Sequence, residues 1–208
     1  AAPGGPSAER GLREVGAFAR LRVLGQARRL FIVCEGPDAL YLLDQHAADE
    51  RVVYHRLRQS YAERSVPLQR LLFPERVEIS EHAASVVEAH REAFEALGLE
   101  VGLVGPTTAA VRAVPAVLRR APPARLLQDL LDEVEYTGER AFGDAIDTAI
   151  ATMACHGAIR GGDTLSVKEC EALLARLDEV PVFGGHCPHG RPVVTALPFA
   201  QLESKLGR

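Results

Sequence analysis

The feature that most restricts the fold of this chain is a predicted helix over residues 45–61 whose buried face carries polar groups. His46 and Glu50 are one helical turn apart and therefore share a face. The same face continues through the apolar residues Val53, Tyr54 and Leu57. A buried charge without a partner is costly, so another segment or a metal ion has to satisfy these groups. The alternative to a metal is a hydrogen-bonded histidine behind a helix-capping Asp44.

A second segment, CPHGRP at residues 187–192, places a thiol and an imidazole two residues apart. Its prolines keep the backbone extended and block a helix, so Cys187 and His189 can lie on one side of the chain. Thiolate and imidazole are ligands that suit zinc. Arg191 offers a planar set of donors to a phosphate, or braces the loop through a carboxylate. The alternative is a rigid loop with an incidental thiol.

A third candidate ligand, Cys155, lies on a helix predicted from Phe142 to Arg160. By itself, a buried helical cysteine indicates core packing, as we predict for Cys34 and Cys170. Together the three segments would supply two thiolates, two imidazoles and one or two carboxylates, which exceeds the needs of one tetrahedral zinc. Such an excess favours two metal ions, or one with an open position, as in phosphodiester hydrolysis.

The composition of the 208-residue chain is that of an ordinary globular protein, with 47% hydrophobic and 25% charged residues. No apolar run approaches the roughly 20 residues that cross a bilayer, and four dispersed cysteines fit a reducing, cytoplasmic compartment. The net charge of −4 argues against a protein that binds nucleic acid strongly on its own.

The order of strand-like and helix-like patterns predicts an α+β fold and also a division of the chain. Residues 1–14 are rich in glycine, proline and alanine, and are typical of the end of a flexible linker. Residues 66–136 form a separate α/β block, which we expect to be an inserted subdomain. The flanking residues 15–65 and 137–208 are then predicted to pack together as one discontinuous domain that carries the metal site.

Three motifs, DQHAADE, ACH and CPHGRP, occur together in this chain. They resemble the signature motifs of the C-terminal domain of MutL-type DNA mismatch-repair proteins, in the subgroup with endonuclease activity. The family's first motif is D-Q-H-A-x-x-E-x-x-x-x-E, and residues 44–50 match its first seven positions in full. The resemblance covers residues 15–208. Two positions depart from it: His55 stands where the motif ends in glutamate, and His156 stands where the family often has arginine or lysine.

The resemblance implies a homodimerising domain that nicks one strand of duplex DNA, with the inserted block as a regulatory subdomain. It implies a catalytic set of Asp44, His46 and Glu50, in which Asp44 is the carboxylate most needed for cleavage. Manganese or magnesium would support activity. The implied zinc ligands are His46, Glu50, Cys155, Cys187 and His189.

The resemblance also implies a bacterial protein that acts in the cytoplasm and does not bind a membrane. Its partners would be DNA and other repair proteins. Duplex DNA would be bound weakly by this chain alone, and the mismatch-recognition protein would be met through the full-length protein. ATP would bind only in a separate N-terminal domain that this chain does not include.

Residues 69–74, QRLLFP, resemble the family's Q-x-x-[LI]-x-P peptide, which docks on the replicative sliding clamp. The matching positions are Gln69, Leu72 and Pro74. A glutamine followed by an apolar anchor in an extended, proline-ended segment suits a hydrophobic groove. The alternative is an ordinary edge strand.

Two other functions stay open at the level of sequence. One is a dimerisation and clamp-docking module whose zinc is only structural, which His55 favours and Asp44 opposes. The other is a zinc hydrolase of peptides or small molecules. It is disfavoured because the chain contains no H-E-x-x-H or comparable catalytic triad.

Overall fold

The computed structural model confirms the α+β prediction. The residues it describes are 16–137, 146–180 and 185–207. The predicted linker at residues 1–14, and the start of the helix predicted from Phe142, lie outside these ranges. No helix within them is both long enough and apolar enough to cross a membrane.

The chain divides into two compact units. The first contains Ala1–Val52 and Ala158–Arg208, and the second contains Val53–Gly157. The predicted insertion at residues 66–136 falls inside the second unit, and its regulatory role stays a prediction. Because the first unit is built from the two ends of the chain, it is discontinuous in sequence.

The described strands and helices have the following bounds. The strands are β1 (Arg22–Ala27), β2 (Phe31–Glu35), β3 (Ala39–Asp44), β4 (Leu68–Glu78), β5 (Glu100–Gly105), β6 (Thr108–Pro115) and β7 (Val194–Pro198). The helices are α1 (Gln45–Ala62), α2 (Glu81–Ala89), α3 (Arg91–Ala96), α4 (Pro123–Thr137), α5 (Ile146–Gly157), α6 (Val167–Asp178) and α7 (Phe199–Lys205), with a short 3-10 helix at Ala116–Leu118.

The first unit contains an antiparallel sheet in the order β1-β2-β3-β7. Side chains alternate in burial along β3, as expected for a strand with one face on the core. The core of this unit joins the buried sheet face to α1 and α6, through Ile32, Leu43, Val52, Leu173 and Leu177 among others. A capping box at Ser166 and Glu169 starts α6, as the sequence predicts.

The two hairpin turns of this sheet differ in how well the sequence predicts them. Glycine, proline and aspartate favour turns, so the sequence predicts one at Gly36-Pro37-Asp38. This turn is confirmed, and Gly36 N–H donates to Ala39 O at 3.0 Å. The β-like run AFARLRVL predicts a strand at residues 17–24, and this prediction is partly wrong. Residues 16–20 form turns, and β1 instead runs from Arg22 to Ala27. The reason is that the β1–β2 turn uses Arg28 and Arg29, which carry no turn signal.

The second unit contains a three-stranded antiparallel sheet in the order β4-β6-β5. Serine is a favoured helix-capping residue, so the sequence predicts a cap at Ser80. Ser80 does cap α2, and its Oγ accepts the N–H of Ala83 at 3.0 Å. With Gly98 as a helix-ending glycine, the sequence predicts one helix from Ser80 to Leu97. This prediction is wrong, because the chain breaks at His90 into α2 and α3. The core of this unit includes Phe94, Leu118, Leu126, Ile150 and Met153.

Candidate metal centre

Asp44 links β3 to α1 and caps the helix. Its Oδ1 accepts the backbone N–H groups of His46 at 2.9 Å and Ala47 at 3.0 Å. These are the N–H groups that lack partners inside a helix, so the predicted capping position is confirmed. The capping bonds fix Asp44 at the N-terminus of α1, where the helix dipole favours negative charge.

Glu50 lies one turn after His46 and is fully buried. Its Oε1 bonds to Nδ1 of His189. Its Oε2 has no hydrogen bond among the described residues and faces Nη2 of Arg191 at 3.5 Å. A buried carboxylate oxygen with so few partners is suited to a cation, because leaving it unpaired is costly.

The loop at residues 187–191 turns sharply and presents both of its ligand-type side chains to Glu50. Gly190 N–H donates to Cys187 O, and Cys187 N–H donates to Arg191 O, each at 2.9 Å. Gly190 has φ of +80°, which a residue with a Cβ rarely adopts. The sequence predicts a sharp turn at Gly190, because glycine tolerates such backbone angles, and this prediction is confirmed.

Glu50, Cys187 and His189 form a candidate metal-binding triad. One ligand atom from each, a carboxylate oxygen, the sulfur and a ring nitrogen, all lie within 4.8 Å of one another. Ligands of one tetrahedral zinc lie about 3–4 Å apart, because each is about 2.0–2.3 Å from the ion. The donor set, together with the poorly satisfied Oε2 of Glu50, therefore fits zinc. Three protein ligands would leave a fourth position for water or substrate.

Arg191 is the cation beside this triad. Burial lowers the pKa of Arg191, but a hydrogen bond to Cys187 and the charges of Glu50 and Asp44 outweigh burial and raise it above its usual range. The guanidinium therefore stays charged and faces the triad. This contact supports the predicted role of Arg191 as a brace of the loop, and its alternative contact with phosphate stays a prediction.

His46 is held by the backbone of Ile159, two residues after the end of α5. Its Nδ1 lies 2.8 Å from Ile159 O. A carbonyl oxygen only accepts, so Nδ1 carries the proton, and in the neutral ring the lone pair is on Nε2. This arrangement is typical of histidines that bind metals through Nε2. His46 is not part of the triad, and its role as a ligand stays a prediction.

Cys155 lies on α5 in the second unit and is half-buried. Its role as a ligand also stays a prediction. The neighbouring His156, one of the two departures from the family motifs, places Nε2 2.8 Å from Asp129 Oδ2. Cys34 and Cys170 are buried in the core of the first unit, as predicted. Burial, with a smaller contribution from Cys170, raises the pKa of Cys34 to about 12.

Sequence reasoning missed two buried polar residues of α1 that hold the segment after α5. Gln45 donates through Nε2 to Arg160 O at 2.9 Å, and Asp49 Oδ2 accepts the N–H of Ile159 at 2.9 Å. Asp49 Oδ1 also lies 3.0 Å from Arg176 Nη1 on α6. Only one signal pointed to Asp49, its position three residues after His46 on the same helix face.

The predicted clamp-docking peptide lies on β4, which is an edge strand of its sheet. Pairing with β6 is interrupted between Arg70 and Glu75, so the residues between them bulge from the sheet. Leu72 is 88% exposed and Phe73 is 78% exposed. Gln69 is also exposed, and its amide donates to Arg70 O at 3.0 Å. The bulge therefore presents two large apolar side chains to solvent, of which sequence reasoning named only Leu72.

Known proteins resemble this chain over most or all of its length. Proteins named DNA mismatch repair protein MutL include that of Anaeromyxobacter dehalogenans (strain 2CP-1 / ATCC BAA-258), 42% identical over 212 residues, with 100% of this chain and 34% of the relative covered. That of Geotalea daltonii is 37% identical over 196 residues, with 94% of this chain and 33% of the relative covered. That of Sphingopyxis alaskensis is 40% identical over 185 residues, with 88% and 30% covered.

The chain spans about a third of the length of the curated relatives it matches. A family model described as the MutL C terminal dimerisation domain matches residues 24–165. This match covers α1 with its DQHAADE motif, and the full-length similarity extends to the CPHGRP loop. The chain therefore belongs to the family of MutL C-terminal dimerisation domains.

Proposed function

We propose that this chain acts in DNA mismatch repair as a homodimeric, metal-dependent endonuclease that nicks one strand of duplex DNA. The observation that carries the proposal is the grouping of Glu50, Cys187 and His189, with the carboxylate of Asp44 capping the same helix that carries Glu50. Zinc fits the triad, and manganese or magnesium would support cleavage. The printed name of the relatives, DNA mismatch repair protein MutL, supports the mismatch-repair part of this proposal.

Each residue of the site would have its own role in phosphodiester hydrolysis. A bound metal ion would neutralise charge on the scissile phosphate and acidify a water molecule. Glu50, Cys187 and His189 would hold the ion. Asp44, fixed by its capping bonds, would orient or accept a proton from the attacking water through the carboxylate oxygen that does not cap the helix. Arg191 keeps the loop in place through Cys187 and Glu50.

Zinc binding is the first test of this site. We expect the purified chain to carry zinc, and Cys187→Ser to lose it, because the substitution removes the thiolate that zinc prefers. Elemental analysis of the folded protein measures the metal. Cys170→Ala is the matched control, because Cys170 is a buried thiol of the same unit that lies outside the triad. Equal zinc in the Cys187→Ser protein would contradict the proposed centre.

Strand nicking is the second test. We expect the chain to nick supercoiled plasmid in the presence of manganese and a sliding clamp, and Asp44→Asn to reduce nicking at least about a hundredfold. Asparagine also caps helices well, so this variant should keep the fold. The assay follows conversion of supercoiled to relaxed plasmid on agarose gels.

The control for this assay is Asp178→Asn. Asp178 accepts backbone N–H groups of Phe18 and Ala19, so the variant also loses a carboxylate that bonds to the backbone of the first unit. It should nick at the rate of the unmodified chain. If Asp44→Asn nicks equally well, the nuclease proposal fails. If zinc is bound but no variant nicks, the chain is a dimerisation and clamp-docking module with structural zinc.

Docking on the replicative sliding clamp is the second part of the proposal. Leu72 and Phe73 are exposed. Burial of each side chain in a hydrophobic groove would contribute about 1.5–3 kcal/mol to the binding free energy. The edge position of β4 leaves its peptide accessible, and Gln69 and Pro74 complete the motif that the sequence indicates. The same features fit peptide capture in an apolar groove.

We expect Leu72→Ala with Phe73→Ala to weaken clamp binding by at least about thirtyfold, because aromatic and aliphatic anchors dominate such interfaces. Surface plasmon resonance against immobilised clamp gives the affinity. Val104→Ala is the matched control, an exposed apolar residue on β5 at the opposite edge of the same sheet. Unchanged binding by the double variant would show that this peptide is not the docking element.

Homodimerisation is the third part of the proposal, and the second face of the first unit's sheet is its best location. Cross-strand pairs of β2, β3 and β7 put apolar side chains on this face. They are Phe31, Val33, Leu40, Leu42 and Leu197, all of them partly exposed. The same register places Glu35, Asp44 and Thr195 at the edge of this apolar group. A second copy of the chain would cover the five apolar side chains.

We expect Val33→Asp with Leu42→Asp to convert a dimer to a monomer. A buried, unpaired charge costs about 3–5 kcal/mol, and the interface would contain two from each chain. Light scattering coupled to size-exclusion chromatography measures the mass. Val167→Asp is the control, because Val167 is 48% exposed and starts α6, where an acidic residue is favourable. A double variant that stays dimeric would place the interface elsewhere.

A further inference from the structure

The turn between β1 and β2 is made by two consecutive arginines in a backbone conformation that favours glycine and asparagine. Arg28 and Arg29 both have φ of +54°. Leu30 N–H donates to Ala27 O at 3.1 Å, which closes a two-residue turn. Hairpin turns with two positive φ angles strongly prefer Asn-Gly, and other residues are strained there. Arg28 and Arg29 therefore have backbone angles that are unfavourable for arginine.

Tertiary contacts fix this turn against the start of α1. Arg29 O accepts Nε2 of Gln45 at 3.0 Å and the N–H of Gly162 at 2.8 Å. Leu30 O accepts the backbone N–H of Gln45 at 3.0 Å. Gln45 is the residue between Asp44 and His46, so the turn touches the segment that carries the proposed catalytic groups.

A third arginine joins the pair from the segment after α5. Gln45 Nε2 also donates to Arg160 O, at 2.9 Å. One side-chain amide thus bonds to the backbone carbonyls of both Arg29 and Arg160. Arg28, Arg29 and Arg160 are all exposed, and none forms an ion pair with another described residue. The acidic neighbour Asp163 uses Oδ2 to accept the N–H of Arg160.

We infer that Arg28, Arg29 and Arg160 form a binding surface for the phosphate backbone of duplex DNA beside the proposed nicking site. The inference rests on the proposed function, since a nicking enzyme has to hold the strand that it cuts. Arginine forms paired hydrogen bonds to phosphate, and such bonds set position without reading sequence. A chain with a net charge of −4 needs a local positive surface to approach DNA.

Two double variants of the turn separate the charge of the arginines from the strain of the turn. Arg28→Gln with Arg29→Gln removes two charges and keeps side chains that are strained at positive φ. Arg28→Asn with Arg29→Gly removes the same charges and supplies the residues that the turn prefers. The matched control is Arg119→Gln with Arg120→Gln, two adjacent exposed arginines of the second unit, which gives the same change in net charge.

Binding is measured by fluorescence anisotropy of a labelled duplex oligonucleotide at several salt concentrations, without added metal. We expect both turn variants to bind about tenfold more weakly at low salt. The slope of log affinity against log salt should fall by about 2, because each arginine that is removed leaves one phosphate without its cation. The Asn-Gly variant should at the same time unfold at a higher temperature, because its turn is relaxed. The control should bind like the unmodified chain.

In the Asn-Gly variant, DNA affinity falls while the unfolding temperature rises. A folding defect therefore does not explain the weaker binding. Unchanged DNA affinity in both turn variants would overturn the inference. So would an equally weakened control, which would indicate a general charge effect, or no measurable binding by the unmodified chain. If the turn variants bind weakly and the unmodified chain binds DNA but never nicks it, the binding surface stands and the proposed nuclease fails.

Discussion

The buried carboxylate of Glu50 is the constraint on which the candidate metal centre depends. An uncompensated carboxylate in a protein interior opposes folding by several kcal/mol, so partners must reach it. They come from the loop at residues 187–191, where His189 bonds to one oxygen and Arg191 faces the other. Contacts between charged or polar side chains thus join α1, early in the chain, to the loop at residues 187–191, near its end. A change that removes either partner leaves the other with an unbalanced charge, which lowers the stability of the first unit.

The first two turns of α1 combine structural and chemical tasks in the same side chains. Asp44 caps its own helix, while Gln45, His46 and Asp49 bond to backbone groups of residues 159–163. Loss of activity after a drastic substitution at these positions would therefore not identify a catalytic group, because the fold would be disturbed as well. A substitution that keeps the hydrogen bond and removes the charge, as asparagine does at Asp44, is the informative one.

The sequence predicted those parts of the site that depend only on residues close together in the chain. The capping position of Asp44, the buried face that carries Glu50 and the sharp turn at Gly190 all follow from spacing and backbone preference. The bond between His46 and the carbonyl of residue 159 could not be predicted, because it joins residues 113 positions apart through a backbone group that has no sequence signal. The arginine turn of the first hairpin was missed for a related reason, since tertiary contacts there override the local preference of the turn.

The exposure of the three triad residues bears on whether the centre is structural or catalytic. Glu50 is fully buried and Cys187 is 4% exposed, whereas the side chain of His189 is 43% exposed. Structural zinc sites are closed by four protein ligands, and catalytic sites keep one position open to water and substrate. A triad with two buried ligands and one at the surface is open on the side of His189. A phosphodiester can approach such a centre from solvent, which is the geometric reason to favour a nicking enzyme over a module that zinc only stabilises.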